Sequence, residues 1–143
     1  MTLIVDTIEK AIEYQLSLST GLAAYVGSAG DARIYSNVAD QPNTQSSDPY
    51  VVIIVDEMDP EHTCDGTNVR KYLYYTDIYH ENLPLATKIA TEIKNVIEPY
   101  SNYRDAIYIQ ESWLNDETMA YNDEAERHVL RLQWISRVLP SPT

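Results

Sequence analysis

Tyr50-Val51-Val52-Ile53-Ile54-Val55 is the stretch that decides the fold. Six consecutive β-branched or aromatic residues are too short for a helix with an apolar stripe. They fit a strand buried on both faces. The chain then runs into Asp56-Glu57-Met58-Asp59-Pro60-Glu61, which reads as a carboxylate-rich turn, and on to a polar hairpin turn around Asp65-Gly66. A second strand is expected from about Thr67 to Tyr79. Tyr72, Tyr74 and Ile78 share one of its faces, and Leu73, Tyr75 and Tyr79 share the other.

Working toward the N-terminus, Asn37 to Pro49 is polar and aperiodic and contains Pro42 and Pro49. It reads as an exposed loop, residues 37–49. Arg33 to Tyr35 reads as a short strand. Ser19 reads as the cap of a short helix over Gly21 to Val26 that Gly27 closes. Ile4, Ile8, Ala11, Ile12 and Leu16 recur at helical spacing and predict an amphipathic first helix. Toward the C-terminus, Asn82 caps a helix with Pro84 in its first turn and a stripe of Leu85, Ile89, Ile93, Val96 and Ile97, and Pro99 ends it. Strands are expected at Ala106 to Trp113, Glu117 to Tyr121 and His128 to Val138, with residues 139–143 as a flexible tail. The order helix, helix, strands, helix, strands predicts an α+β fold: a largely antiparallel β-sheet with helices packed on one face.

The 143 residues fit one domain, 1–143, long enough to bury about two-thirds of its unfolded surface. Ten basic residues against 22 acidic ones give a net charge of −12. That balance disfavours binding through nucleic-acid phosphates and docking on anionic membranes. No stretch approaches the roughly 18 apolar residues of a membrane span. The opening residues lack the pattern of a signal peptide, and the lone Cys64 leaves no partner for an intrachain disulfide, so a reducing host cytoplasm is the expected compartment of synthesis. Twelve tyrosines stand beside two tryptophans and no phenylalanine. Tyrosine suits half-buried sheet faces and interfaces, because its ring is apolar and its hydroxyl wants a partner.

No catalytic constellation forms on paper. His62, Cys64 and Asp65 crowd together, but no CxxC or HxxxH pair completes a zinc set, and His80 and His128 are remote in sequence. Acidic neighbours disfavour a Cys64 thiolate. Four glycines write no phosphate-binding loop, and no GxSxG appears. The expectation is a non-enzyme with no cofactor and no metal. The charges form groups instead: Asp56, Glu57, Asp59, Glu61 and Asp65 in one, and Glu111, Asp116 and Glu117 leading the other. Both groups read as turns at one end or edge of the sheet. Arg127, Arg131 and Arg137 on the last strand read as a basic contact for the acidic turn of a neighbouring subunit.

Several stretches together resemble the tail-terminator, or tail-completion, proteins of long-tailed bacteriophages and related gene-transfer particles. They are the N-terminal helix followed by Leu22-Ala23-Ala24-Tyr25-Val26-Gly27, then Arg33-Ile34-Tyr35, and Asp48-Pro49-Tyr50-Val51-Val52-Ile53 with the charged turn at Asp65-Gly66. They continue with Tyr75-Thr76-Asp77-Ile78-Tyr79, Ile93-Lys94-Asn95-Val96-Ile97, and the closing Arg127-His128-Val129-Leu130-Arg131-Leu132-Gln133-Trp134. The likeness spans nearly the whole chain as element order and apolar texture, without a catalytic signature. It implies a homohexameric ring at the head-proximal end of the tail. Such a ring stops tube polymerisation, contacts the tail tube protein and a head-completion or connector protein, and passes DNA through its lumen. The two acidic groups are then candidates to face the lumen, where they would repel passing DNA, or to face a partner. The long Asn37–Asp48 loop and the acidity depart from the pattern. Three other readings compete: a connector or stopper protein, a small metal- or ligand-binding protein or enzyme using His62 and Cys64, and an acidic mimic of nucleic acid.

Overall fold

The computed structural model describes residues 8–27, 32–36, 49–61, 69–99, 102–104, 107–123 and 127–140. Two helices open it, α1 (Ile8–Ser17) and α2 (Thr20–Val26), and a longer one, α3 (Leu83–Ile97), follows the central hairpin. Among the described residues six strands, β1 (Ile34–Tyr35), β2 (Tyr50–Glu61), β3 (Val69–His80), β4 (Asn102–Arg104), β5 (Ile107–Asn122) and β6 (Arg127–Pro140), form one sheet in the order β1-β2-β3-β6-β5-β4. β1 pairs parallel to β2, and every other pairing is antiparallel. The fold is α+β, as the element order predicted.

The helix ends follow local chemistry. Ser19 Oγ accepts the Leu22 amide, and Asn82 Oδ1 accepts the Leu85 amide, each satisfying a backbone donor that the helix itself leaves unpaired. Gly27 closes α2 at φ 92°, a left-handed conformation that a side chain would strain. The helices lie on one face of the sheet. Ile8, Ile12, Leu16, Leu22, Ile89 and Ile93 bury themselves there against Ile53, Tyr74, Ile78, Leu132 and Trp134.

Three boundaries differ from the sequence reading. Asp56 to Glu61 is not a turn: β2 continues through it, pairing Glu57 with Leu73, Met58 with Tyr72 and Asp59 with Lys71, after a bulge between Val55 and Glu57. Ladder hydrogen bonds to β3 outweigh the weak strand preference of these acids. Pro60 is accommodated because, among the described residues, β2 is flanked on its outer side by β1 alone, and that only at Val51 and Val52. Likewise Ala106–Trp113 and Glu117–Tyr121 are not two strands. β5 is one strand, whose bulges at Ile109/Glu111 and Leu114/Asp116 break the two-residue alternation where a turn was expected. Leu139 and Pro140, expected in the tail, belong to β6 and pair with Tyr108 and Ile107, and residues 141–143 lie outside the described residues. β4 was not anticipated at all. The expected loop 37–49 falls outside the described residues except for Pro49, which is buried and accepts a hydrogen bond from Arg33 Nε at 2.9 Å. The turn at Asp65-Gly66 and residues His62 and Cys64 also lie outside them.

Candidate functional site

The face of the sheet opposite the helices carries a run of bonded polar side chains. Cross-strand register stacks its residues in rows: Leu73, Ile135 and Trp113; Tyr75, Gln133 and Asp116; Asp77, Arg131 and Thr118; Tyr79, Val129 and Ala120. Side chains directly opposite on neighbouring strands are close enough to bond, and in the two middle rows Tyr75 bonds Gln133 and Asp77 bonds Arg131.

Asp77 and Arg131 form the centre. Asp77 is 1% exposed, and its two carboxylate oxygens accept hydrogen bonds from Arg131 Nε and Nη2, each at 2.8 Å. This is the two-pronged geometry that guanidinium and carboxylate favour. The bonds to Asp77 hold the Arg131 guanidinium above the ordinary arginine value, against the opposing effect of burial. The guanidinium also lies 4.1 Å from the centroid of the Tyr75 ring. Tyr75 donates its hydroxyl to Asp56 Oδ2 at 3.0 Å and accepts from Gln133 Nε2 at 3.5 Å, and Asn115 Nδ2 donates to Gln133 Oε1 at 2.6 Å. One ladder thus crosses from β2 to β5.

Above it, Tyr50 stacks on Tyr79 at 4.7 Å with rings nearly parallel, and Tyr35 meets Tyr50 edge-on at 6.1 Å. Burial, the Asp77 carboxylate and Tyr50 push the Tyr79 phenol up, and Asn122 Nδ2 donates to its oxygen at 3.3 Å. At the far end Arg137 pairs with Glu111, and its guanidinium sits 5.9 Å from the Trp113 ring.

The expected site residues are therefore placed differently from the reading of two acidic turns and one basic contact strip. Arg127 is buried at 4% exposure, 5.3 Å from the Tyr50 ring, while Arg131 and Arg137 bond carboxylates of their own subunit. Asp56 joins the Tyr75 ladder. Glu111 sits in β5 beside Arg137, and Glu117 reaches Lys94 of α3 at 3.4 Å on the helix side. Asp116 Oδ1 accepts the Glu117 amide at 2.8 Å. Glu57, Asp59 and Glu61 are strand residues of β2, and Asp65 lies outside the described residues. The acids are thus dispersed along two strands and both faces.

A second feature escaped sequence reasoning. His80 and His128 are cross-strand partners with ring centroids 5.9 Å apart, and Tyr121 approaches His128 edge-on at 5.1 Å. They border a hollow of about 460 Å³ also lined by Glu81, Leu83, Met119 and Tyr121. Burial first, then His128, pulls the His80 imidazole below its ordinary value, and its buried Nδ1 has no hydrogen-bond partner. Only the register of β3 against β6 could have revealed the pair. Among the described residues no three His, Cys, Asp or Glu side chains gather to hold a metal ion. Among the described residues no helix is long and apolar enough to cross a membrane.

No family model and no curated protein sequence matches the chain. Its fold does match a solved chain from the virion of a native gene transfer agent particle. The TM-score is 0.71 over 92% of this chain and 94% of that one, with 14% of residues identical. At that identity the likeness is one of fold, and it spans nearly the whole of both chains.

Proposed function

We propose that this chain is a structural virion protein of a phage-like particle, a ring-forming tail terminator that caps the tail tube. The observation that carries the reading is the whole-chain fold likeness to a gene transfer agent virion chain, without large unmatched parts on either side. The sequence resemblance to tail terminators points the same way. A subunit of this kind works by shape and surface and needs no cofactor. A sheet face that no described helix covers, with its central polar groups bonded to one another, is a rigid platform for such contacts. Six copies form the ring; one side meets the tail tube protein, the other a head-completion or connector protein, and DNA passes through the lumen. The net charge of −12 per subunit keeps the lumen from holding the DNA it passes.

Electron microscopy of particles assembled without this protein tests the role. A terminator's loss gives tails longer than normal. Detached tails of normal length would instead support the second reading, a stopper or other head–tail connector, and intact particles would refute both. A ring whose acidic strands β2 and β5 lie on its outer rim would refute the lumen assignment.

A further inference from the structure

β5 leaves most of its outer edge open. β4 pairs with Ile107, Tyr108 and Ile109, and among the described residues no strand flanks β5 from Gln110 to Asn122. All seven residues from Asn115 to Tyr121 are exposed, on both faces of the strand. Open edges are normally guarded by charges, bulges or prolines. Here a bulge at Leu114/Asp116 and the acids Asp116 and Glu117 guard one half, while Thr118-Met119-Ala120-Tyr121 carries no charge.

The unguarded half borders the hollow. Met119 is 65% exposed, Tyr121 53% and Leu83 45%, a cluster of large apolar side chains in contact with water beside an open row of backbone groups. Glu117, Met119 and Tyr121 alternate on the same side of β5, as their partners Leu132, Leu130 and His128 show. Glu81 lies on the rim, and no lysine or arginine lines the hollow.

We infer that the β5 edge over Asn115–Tyr121 takes an extended segment of another protein as an added strand. That segment sets apolar side chains beside Met119, Tyr121 and Leu83, and a lysine or arginine near Asp116, Glu81 and Glu117, whose side chain is 41% exposed and already meets Lys94 at 3.4 Å. Backbone bonds along the edge supply affinity, and the alternating side chains supply selectivity. A second copy of this chain fits poorly. Its other edge open among the described residues, the outer side of β2 beyond Val52, carries the exposed Asp56, which would meet Asp116 and Glu117 on the facing strand, and like charges there repel. The inference is independent of ring assembly.

The test uses the full chain and the synthetic peptide Lys-Thr-Leu-Thr-Leu-Thr-Lys, whose leucines and lysines share one side of a strand. Amide NMR shifts should saturate with the peptide and concentrate at 115–121. Affinity should fall about tenfold or more for Met119→Lys, for Tyr121→Lys, and for a peptide with glutamates in place of the lysines. Both substituted side chains are exposed, so an unchanged circular dichroism spectrum should accompany the loss. Absence of saturable shifts, shifts centred elsewhere, or equal affinity for the variants or the acidic peptide would overturn the inference. So would concentration-dependent self-association abolished by Met119→Lys, which would assign the edge to a second copy.

Discussion

On the helix-covered face, Trp134, Tyr74, Ile53, Ile78 and Leu132 are fully buried by α1, α2 and α3. On the opposite face the same strands present Tyr75, Asp77, Gln133 and Arg131, which cover one another by bonding sideways across the sheet. The first face is held by the area removed from water, the second by directional bonds whose value depends on how dry they are. Each face also contains groups of the other's kind. The covered face has a hydroxyl chain, Tyr74 to Ser136 at 2.9 Å and Ser136 to Ser112 at 2.6 Å, and Trp134 Nε1 donates to Thr76 at 3.0 Å. The open face has an apolar cluster, Tyr50, Val52, Tyr79 and Val129. Removal of single side chains should rank the two faces accordingly.

The largest loss is expected for Trp134→Ala, about 3–5 kcal/mol in denaturant unfolding, because a fully buried ring leaves a cavity and an unpaired Thr76. A loss under 1 kcal/mol would mean that the covered face is not the main source of stability. Next comes Arg131→Met, at about 2 kcal/mol. It strips the carboxylate of Asp77 of its partner in a site 1% exposed, yet the Arg131 side chain is 41% exposed, so the cost stays below that of a wholly buried pair. Equal stability of Arg131→Met and the parent would show that Asp77 finds water or another donor. Tyr74→Phe removes one buried hydroxyl and should cost about 1 kcal/mol, since Ser136 keeps its bond to Ser112. Tyr75→Phe removes an exposed hydroxyl from the ladder and should cost roughly 0.5 kcal/mol or less, which would separate the wet end of the open face from its dry centre.

The histidine pair adds a pH term. Folding lowers the His80 value below the ordinary 6.5, so the unfolded chain takes up the proton first. Stability is therefore full above pH 6.5 and declines as pH falls below it toward the folded value. Thermal unfolding of the parent between pH 7 and 5 should show this fall, and His80→Gln should flatten it. An unchanged slope in the variant would place the proton uptake elsewhere.

Much of the covered face was legible in the sequence. The Tyr50–Val55 run, the Ile89/Ile93/Ile97 stripe, the caps at Ser19 and Asn82 and the alternation of Leu130, Leu132 and Trp134 are local signals, and each produced the element expected. The open face was not, because its chemistry depends on register. Arg131 read as a free cation for a neighbour until Asp77, 54 residues away, appeared opposite it. The acids of β2 and β5 read as turns because bulges shift the alternation and pairing overrides propensity. His80 and His128 were seen as distant for the same reason.

The central claim, a ring at the end of a tail, is tested most directly by electron cryomicroscopy of intact particles at a resolution that traces chains. The account predicts this fold as one ring of six copies at the head-proximal end of the tail tube. Copies stacked along the tail, set in the capsid shell, or missing from the finished particle would contradict it.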